Sequence, residues 1–362
     1  MAGAKGYSSY RGRGPRWKIL LAILLVLVIA VAVSVIYLGE HVVYSPDGRR
    51  QIVLPWQTGE KDPPPSGEGE DPEGQPDVEL IVQEPEKQGP RETDAVSLPA
   101  SVLRSADWTA FESQSLGEHN AVAVRLKTTN GTIYFDSANA VSGAVELSET
   151  PGDTAAALDL ITSREGLHTI ASMACLQDFQ AANADVEGRG LKNTGGYIFY
   201  DGNNSLWLDP AKPAAREYVC ALAKEIAELG FDELLLTDFS YPTVGKIDKI
   251  NYNTEVPLGN NLDLLLGDLR TALEPYDILL SVEIPESVIA EGPDGVAGLD
   301  LNRLAGQVDR IYAVTTPERV ETLSGLVDQA AGDGGKTEFV PELTEESPLV
   351  TGSRLILAVS ES

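Results

Sequence analysis

Hydrophobic and polar positions divide this chain into three stretches. From Ile19 to Leu38 the residues are apolar for 20 positions, interrupted by Ser34 and by no charge. At a rise of 1.5 Å per residue the run is about 30 Å long, the thickness of a bilayer's hydrocarbon core, and predicts a transmembrane helix. Residues 39–99 show neither helical nor strand periodicity. Residues 100–362 alternate short β-branched runs with amphipathic, helix-spaced ones. The predicted strands are a weak one near Val96–Leu103, then Ala121–Leu126, His168–Ala174, Asp232–Thr237, Asp277–Glu283, Arg310–Thr315, Thr337–Pro341 and Arg354–Ser360. Helices are expected at 154–166, from Pro213 to Leu229, at 261–273 and at 317–331. The second is the clearest: Ala215, Tyr218, Val219, Leu222, Ile226 and Leu229 recur at helical spacing, Pro213 opens it and Gly230 closes it. Strands separated by helices pair in parallel through right-handed crossovers. Eight of them predict a (β/α)8 TIM-like barrel, with a doubly wound sheet as the alternative.

Charge sharpens these boundaries. Residues 1–18 carry Lys5, Arg11, Arg13, Arg16 and Lys18 and no acid, so the positive-inside rule leaves them in the cytoplasm and sends residues 39–362 outward. Trp17 and Tyr37 fall at the two ends of the apolar run, where amphipathic rings favour the interface. A cleaved signal peptide is the competing reading, because Ala30-Val31-Ala32 mimics a cleavage site; the apolar run continues past it, which favours an uncleaved anchor. Residues 39–99 hold ten of the 22 prolines, with five basic and fourteen acidic residues, and read as a disordered Pro/Glu/Gly-rich spacer. Residues 100–362 form the barrel domain.

Composition excludes several functions. Lys plus Arg number 27 against 55 Asp plus Glu, a net charge of −28 that repels phosphate backbones and argues against nucleic-acid binding. Two Cys and three His, none at ligand spacing, exclude a zinc module, so no metal or other cofactor is expected. Cys175 and Cys220 read as packed, free thiols. Neither a Ser-centred nucleophile elbow nor a phosphate loop is present.

Active sites of such barrels lie at the C-terminal strand ends. Strand 232–237 runs into Asp238 and strand 277–283 ends in Glu283, which places two carboxylates at the mouths of consecutive strands. Glycoside hydrolysis needs such a pair, one protonating the leaving oxygen and the other attacking the sugar or activating water. The structural alternative makes both loop residues, capping a turn or paired with Lys246 or Lys249. Tyr200, Trp207, Tyr241, Tyr252 and Tyr312 are candidates to stack on sugar rings, with ordinary packing as the alternative. Lys127, at a strand end, is a candidate to orient a carboxylate or a substrate hydroxyl; a structural salt bridge is the alternative.

Several stretches, in order, resemble one family. They are Asn120–Lys127 with Asn130-Gly131, His168–Asp178, Trp207-Leu208-Asp209-Pro210 with its following helix, Leu229–Glu233 running on to Asp238-Phe239-Ser240-Tyr241-Pro242, and Val308–Tyr312. Together they are similar to an uncharacterised family of glycoside-hydrolase-like TIM barrels of the bacterial envelope, distantly similar to the α-amylase superfamily. The resemblance spans roughly residues 95–360. It implies a glycosidase acting on envelope or extracellular polysaccharide, with Asp238 as nucleophile and Glu283 as acid/base. The chain departs from the pattern where relatives have Tyr-Val-Arg-Phe-Pro after the strand-four Asp: Phe239, Ser240, Tyr241 and Pro242 follow here without an Arg. Ser172 stands where relatives carry an Arg, and Glu283 where they carry an Asp, although a Glu at the end of strand five fits the wider α-amylase-superfamily pattern. The missing Arg and the sparse tryptophans, Trp108 and Trp207 in the barrel domain, support the rival expectation, a non-catalytic glycan- or protein-binding envelope module on the same barrel.

Overall fold

A computed structural model describes residues 42–44, 50–52, 92–99, 102–103, 108–112, 116–148, 153–332 and 335–357. The predicted membrane segment 19–38 and the basic tail lie outside the described residues. Among those described, no helix is long and apolar enough to cross a membrane. The chain divides into two units, Met1–Val82 and Gln83–Ser362. In the first, Val42–Tyr44 pairs antiparallel with Arg50–Ile52, so the stretch read as a disordered spacer holds a strand pair.

The second unit is a closed, all-parallel barrel, which decides against the doubly wound sheet. Its strands are β1 (Asp94–Leu98), β2 (Ala121–Lys127), β3 (His168–Ala174), β4 (Glu233–Thr237), β5 (Leu279–Glu283), β6 (Arg310–Val314), β7 (Glu338–Leu343) and β8 (Arg354–Ile356). They pair in that order, and β8 closes the ring through Leu355 opposite Ala95. β1 begins at Asp94, within the stretch assigned to the spacer, so the barrel starts earlier than residue 100. The principal outer helices are α1 (Asp153–Thr162), α2 (Pro213–Glu228), α3 (Leu258–Leu273) and α4 (Val320–Ala331).

Local sequence accounts for these elements. Pro213 opens α2, where its fixed φ costs nothing and the missing N–H has no partner to lose. The stripe Ala215, Tyr218, Val219, Leu222, Ala223 and Ile226 is buried on the barrel side. Each large apolar side chain removed from water there contributes roughly 1.5–3 kcal/mol. Gly230 then takes φ +87°, a left-handed turn that Gly adopts without steric cost, and the chain enters β4.

Alternation along the strands sorts side chains between the lumen and the helix layer. Facing outward, Leu234, Leu236, Leu280, Val282, Ile311 and Ala313 belong to the main core. A smaller cluster fills the lumen, with Ala95, Ala121 and Ala123 on the first two strands against Ile170, Leu235, Tyr312, Val340 and Leu355. Below it the N-terminal end is plugged by polar groups. Glu233, fully buried, accepts hydrogen bonds from His168 Nε2 (2.9 Å), Ser281 Oγ (2.6 Å), Tyr312 Oη (2.8 Å) and Arg310 (2.7 Å). Arg310 also donates to Glu338 through Nε at 2.8 Å. Burial pushes the Glu233 carboxyl up, but contacts with His168, Arg310 and Ser281 outweigh it and hold the group at about 2.

Candidate active site

The opposite end of the lumen opens into a cavity of about 410 Å³. Its wall is the topmost inward layer of the strands: Ser97, Arg125, Ser172, Thr237, Glu283, Val314 and Glu342, with Leu357 just past β8. A second cavity of about 310 Å³ shares Glu283 and Val314 and extends to Asp238, Phe239, Ser240 and Glu286. A groove of about 470 Å³ continues from it through Leu299 and is lined by Tyr252, Glu255, Asp294 and Arg303. Glu283 therefore stands between Asp238 and Glu342, bordering the space on both sides.

Asp238 follows the last residue of β4 and holds φ +51°, a left-handed conformation uncommon for residues other than Gly. Two backbone bonds extend the ladder past the strand end and fix it: Cys175 N–H to Thr237 O at 2.8 Å and Leu176 N–H to Asp238 O at 3.2 Å. Thr237 Oγ1 donates to the Asp238 carboxylate at 3.1 Å. Such constrained backbone costs on the order of 1 kcal/mol and persists where surrounding structure enforces it.

The electrostatics of the three carboxylates differ in degree. Burial raises Asp238, partly offset by the Thr237 hydroxyl and the charges of Lys127 and Arg125. Glu283 is raised by burial and further by the charge of Asp238, against a smaller opposing effect of Arg125. Glu342, 3% exposed, is pushed up to about 8 by burial and by the charge of Glu283. Neither Glu283 nor Glu342 is hydrogen-bonded through its carboxylate to any described residue. Arg125 is the one cation among the residues lining the larger cavity. It pairs in register with Ser172, so the mouth takes its positive charge from β2 and not from β3.

The sequence named Asp238 and Glu283, and the structure brings both to the same mouth. Lys249 pairs with Asp248 at 2.8 Å instead of with either carboxylate. Lys127 is elsewhere. A register shift between Arg125 and Lys127 sets Lys127 opposite Met173, an outward-facing residue, so the bulge turns the side chain out of the lumen. Buried there, its Nζ donates to Ala174 O at 2.6 Å and pairs with Asp178 at 2.9 Å, a salt bridge joining β2 to the loop after β3. Asp178 in turn caps the short helix Phe179–Ala184 through Ala181 N–H at 2.8 Å. Gly131 is required beside it: its φ is +85°, and a Cβ there would lie 2.2 Å from Asp178 Oδ1.

The aromatic candidates do not gather at the mouth. Trp207 is buried, with Nε1 donating to Asp201 at 3.0 Å. Tyr241 is buried under an edge-on contact with Tyr252 (5.5 Å between centroids) and accepts a bond from Asn261 at 3.0 Å. Tyr312 is fully buried in the lumen and donates to Glu233. Tyr200, half exposed, lies in the loop after β3, and Tyr252 lines the groove. The sequence reading missed Arg125 and Glu342. Both sit at inward positions two residues beyond Ala123 and Val340. Arg125 falls inside the predicted strand Ala121–Leu126, whereas Glu342 falls one residue past the predicted Thr337–Pro341, so alternation locates the first and a longer strand is needed for the second. Among the described residues no group of His, Cys, Asp or Glu is placed to hold a metal, and both cysteines are free thiols.

A closed (β/α)8 barrel whose C-terminal mouth gathers carboxylates with environments of different strength has the layout of a barrel glycosidase. The family is specific: residues 104–328 match the model described as "putative glycosyl hydrolase domain", and the chain belongs to that family. No curated protein matches it in sequence. Similar solved structures include a hypothetical protein from Ruminiclostridium thermocellum (20% identity, 52% of this chain and 96% of that one, TM-score 0.42). Another is the PgaB (BpsB) glycoside hydrolase domain from Bordetella bronchiseptica (15% identity, 70% and 84%, TM-score 0.47). A chitinase from Chromobacterium violaceum is a third (14% identity, 69% and 68%, TM-score 0.37).

Proposed function

We propose that this protein is a membrane-anchored glycoside hydrolase that cleaves envelope or extracellular polysaccharide outside the cytoplasm by a two-carboxylate mechanism. Residues 19–38 are the anchor, residues 1–18 the cytoplasmic tail, and the spacer carries the barrel away from the membrane. The observation that supports the reading most strongly is the position of Glu283. It borders both mouth cavities, and burial together with the Asp238 charge favours its protonated form. A carboxyl whose proton affinity is raised by a neighbouring carboxylate suits proton donation to a glycosidic oxygen.

In this mechanism Asp238 attacks the anomeric carbon while Glu283 gives its proton to the leaving oxygen. The glycosyl ester formed on Asp238 is then hydrolysed by a water that Glu283 deprotonates, with net retention at the anomeric centre. The Thr237 hydroxyl and the charges of Lys127 and Arg125 favour the ionised form of Asp238 over what burial alone would allow. Tyr252, in the adjoining groove, supplies a ring face for sugar stacking.

The test is release of reducing ends from a panel of envelope polysaccharides by the full-length protein and by Asp238→Asn and Glu283→Gln. Either substitution should lower kcat by at least about a thousandfold with the fold intact by circular dichroism. Unchanged hydrolysis in either variant overturns its role, and inversion of the anomeric configuration overturns the nucleophile. Glycan binding without any release of reducing ends assigns the barrel to the non-catalytic module.

A further inference from the structure

The mouth holds more carboxyl groups than a two-carboxylate mechanism uses. Glu342 lies on β7, one strand beyond β6 from Glu283, and its side chain lines the larger cavity. It is 3% exposed and its carboxylate, open to the cavity and not fully enclosed, takes no hydrogen bond and no salt bridge from any described residue. Buried carboxylates ordinarily have such partners, as Glu233 does with four. The charged groups facing the space are few: Arg125 from β2, Glu283 from β5, Glu342 from β7, and Asp238 at the adjoining end of β4. The remaining wall is uncharged, from Ser97, Ser172, Thr237, Val314 and Leu357. Glu286, in the second cavity, is already engaged by Arg319 Nε at 2.7 Å and Thr315 Oγ1 at 2.6 Å. Two glutamates thus face one guanidinium across a cavity large enough for a small ligand, with Asp238 in the adjoining one.

We infer that this cavity is a subsite for a cationic amino sugar, a glycan residue with a free amine in place of an acetamido group, its ammonium seated on Glu342. The inference rests on the hydrolase reading only in taking the occupant to be a sugar. An ammonium supplies the partner that Glu342 lacks, three donors and a positive charge, and lets Glu342 ionise beside Glu283, which keeps the proton that the hydrolytic step uses. A neutral hexose or an N-acetylated one offers dipoles without charge. A uronate or a phosphate-bearing glycan meets like charge in a partly desolvated site and is rejected.

The experiment titrates the full-length protein at neutral pH with glucosamine and galactosamine, and in parallel with N-acetylglucosamine, glucose and glucuronate, by saturation-transfer NMR. The amino sugars should bind about tenfold or more tightly than their acetylated and neutral counterparts, and added salt should narrow the gap. In Glu342→Gln that preference should collapse while the weak binding of glucose persists. Glucose serves as the control for a folded, accessible cavity. Equal affinity for amino and acetylated sugars, a preference untouched by Glu342→Gln, or no binding of amino sugars overturns the inference. Hydrolysis is read separately on matched polymers before and after chemical de-N-acetylation. Cleavage of the acetylated polymer alone refutes the inference and leaves the hydrolase standing. An amino-sugar preference that depends on Glu342, with no polymer cleaved, refutes the hydrolase and leaves the subsite.

Discussion

Replacing Glu342 by Gln should stabilise the protein, and by an amount that grows with pH. The folded state holds this carboxyl at about 8, against 4.5 for an ordinary glutamate. A carboxyl raised on folding binds its proton more tightly in the native state, so native stability falls as pH rises between the two values. Below pH 4.5 the group is protonated in both states and costs nothing. At pH 7 the penalty is on the order of 3 kcal/mol, and above pH 8 it levels off near 5 kcal/mol, taking about 1.4 kcal/mol for each tenfold change in proton affinity. Gln keeps the shape and removes the ionisation. In a domain of this size 1 kcal/mol corresponds to roughly 2–4 °C in Tm. Thermal unfolding of the wild type and Glu342→Gln across pH 5–9 should therefore give curves that nearly coincide at the acid end and diverge toward the alkaline one, the variant melting several degrees higher. A variant that melts at the wild-type temperature throughout, or below it at alkaline pH, would refute the claim that Glu342 is buried without a partner.

The base of the barrel should behave in the opposite sense. Arg310→Met leaves Glu233 buried without its guanidinium and should cost about 3–5 kcal/mol in urea unfolding; a loss below 1 kcal/mol would show the remaining donors to suffice. Because the wild-type Glu233 carboxyl is held at about 2, its contribution is present above pH 4.5 and is lost as pH falls toward 2, so acid unfolding should come earlier in Arg310→Met. Gly131→Ala should destabilise by more than about 1 kcal/mol, since it adds a Cβ at a left-handed position and against Asp178. Wild-type stability in that variant would show that the Lys127–Asp178 pair tolerates displacement.

Periodicity carried most of the barrel. The strand His168–Ala174 and the start of helix α2 at Pro213 fall where the pattern puts them, because an uninterrupted buried strand and a proline-opened amphipathic helix are strong local signals. The first and seventh strands are the weakest signals, and the first, expected near Val96–Leu103, runs from Asp94 to Leu98, starting two residues and ending five residues earlier, because Pro99 ends what reads as its middle. In the site, the strand ends expose Asp238 and Glu283 directly. Lys127 reads identically, a charged residue closing a strand, but a one-residue bulge sends it to Asp178. No local sequence rule reveals that bulge, because it depends on the register between two strands. Trp207 and Tyr312 fail for a related reason: an aromatic ring suits a sugar face and a protein core equally, and only the fold supplies Asp201 and Glu233 as their partners.

The contrast between the two ends of the lumen marks the mouth as the candidate site more firmly than any motif does. Glu233 and Glu342 are both buried glutamates on inward-facing strand positions of one barrel. At the base, four donors converge on Glu233, and its proton affinity falls. At the mouth, Glu342 faces another carboxylate and open space, and its proton affinity rises. Burial raises the proton affinity of both groups, so the opposite outcomes come from what the neighbouring strands present. A satisfied network rigidifies the base and leaves no capacity for a ligand. An unsatisfied one lowers stability and persists where something outside the protein completes it. Asp238 adds a backbone held in a left-handed turn at that same end. Strain and unpartnered charge both accumulate at the C-terminal mouth, and a ligand that carries donors and positive charge is what would relieve them.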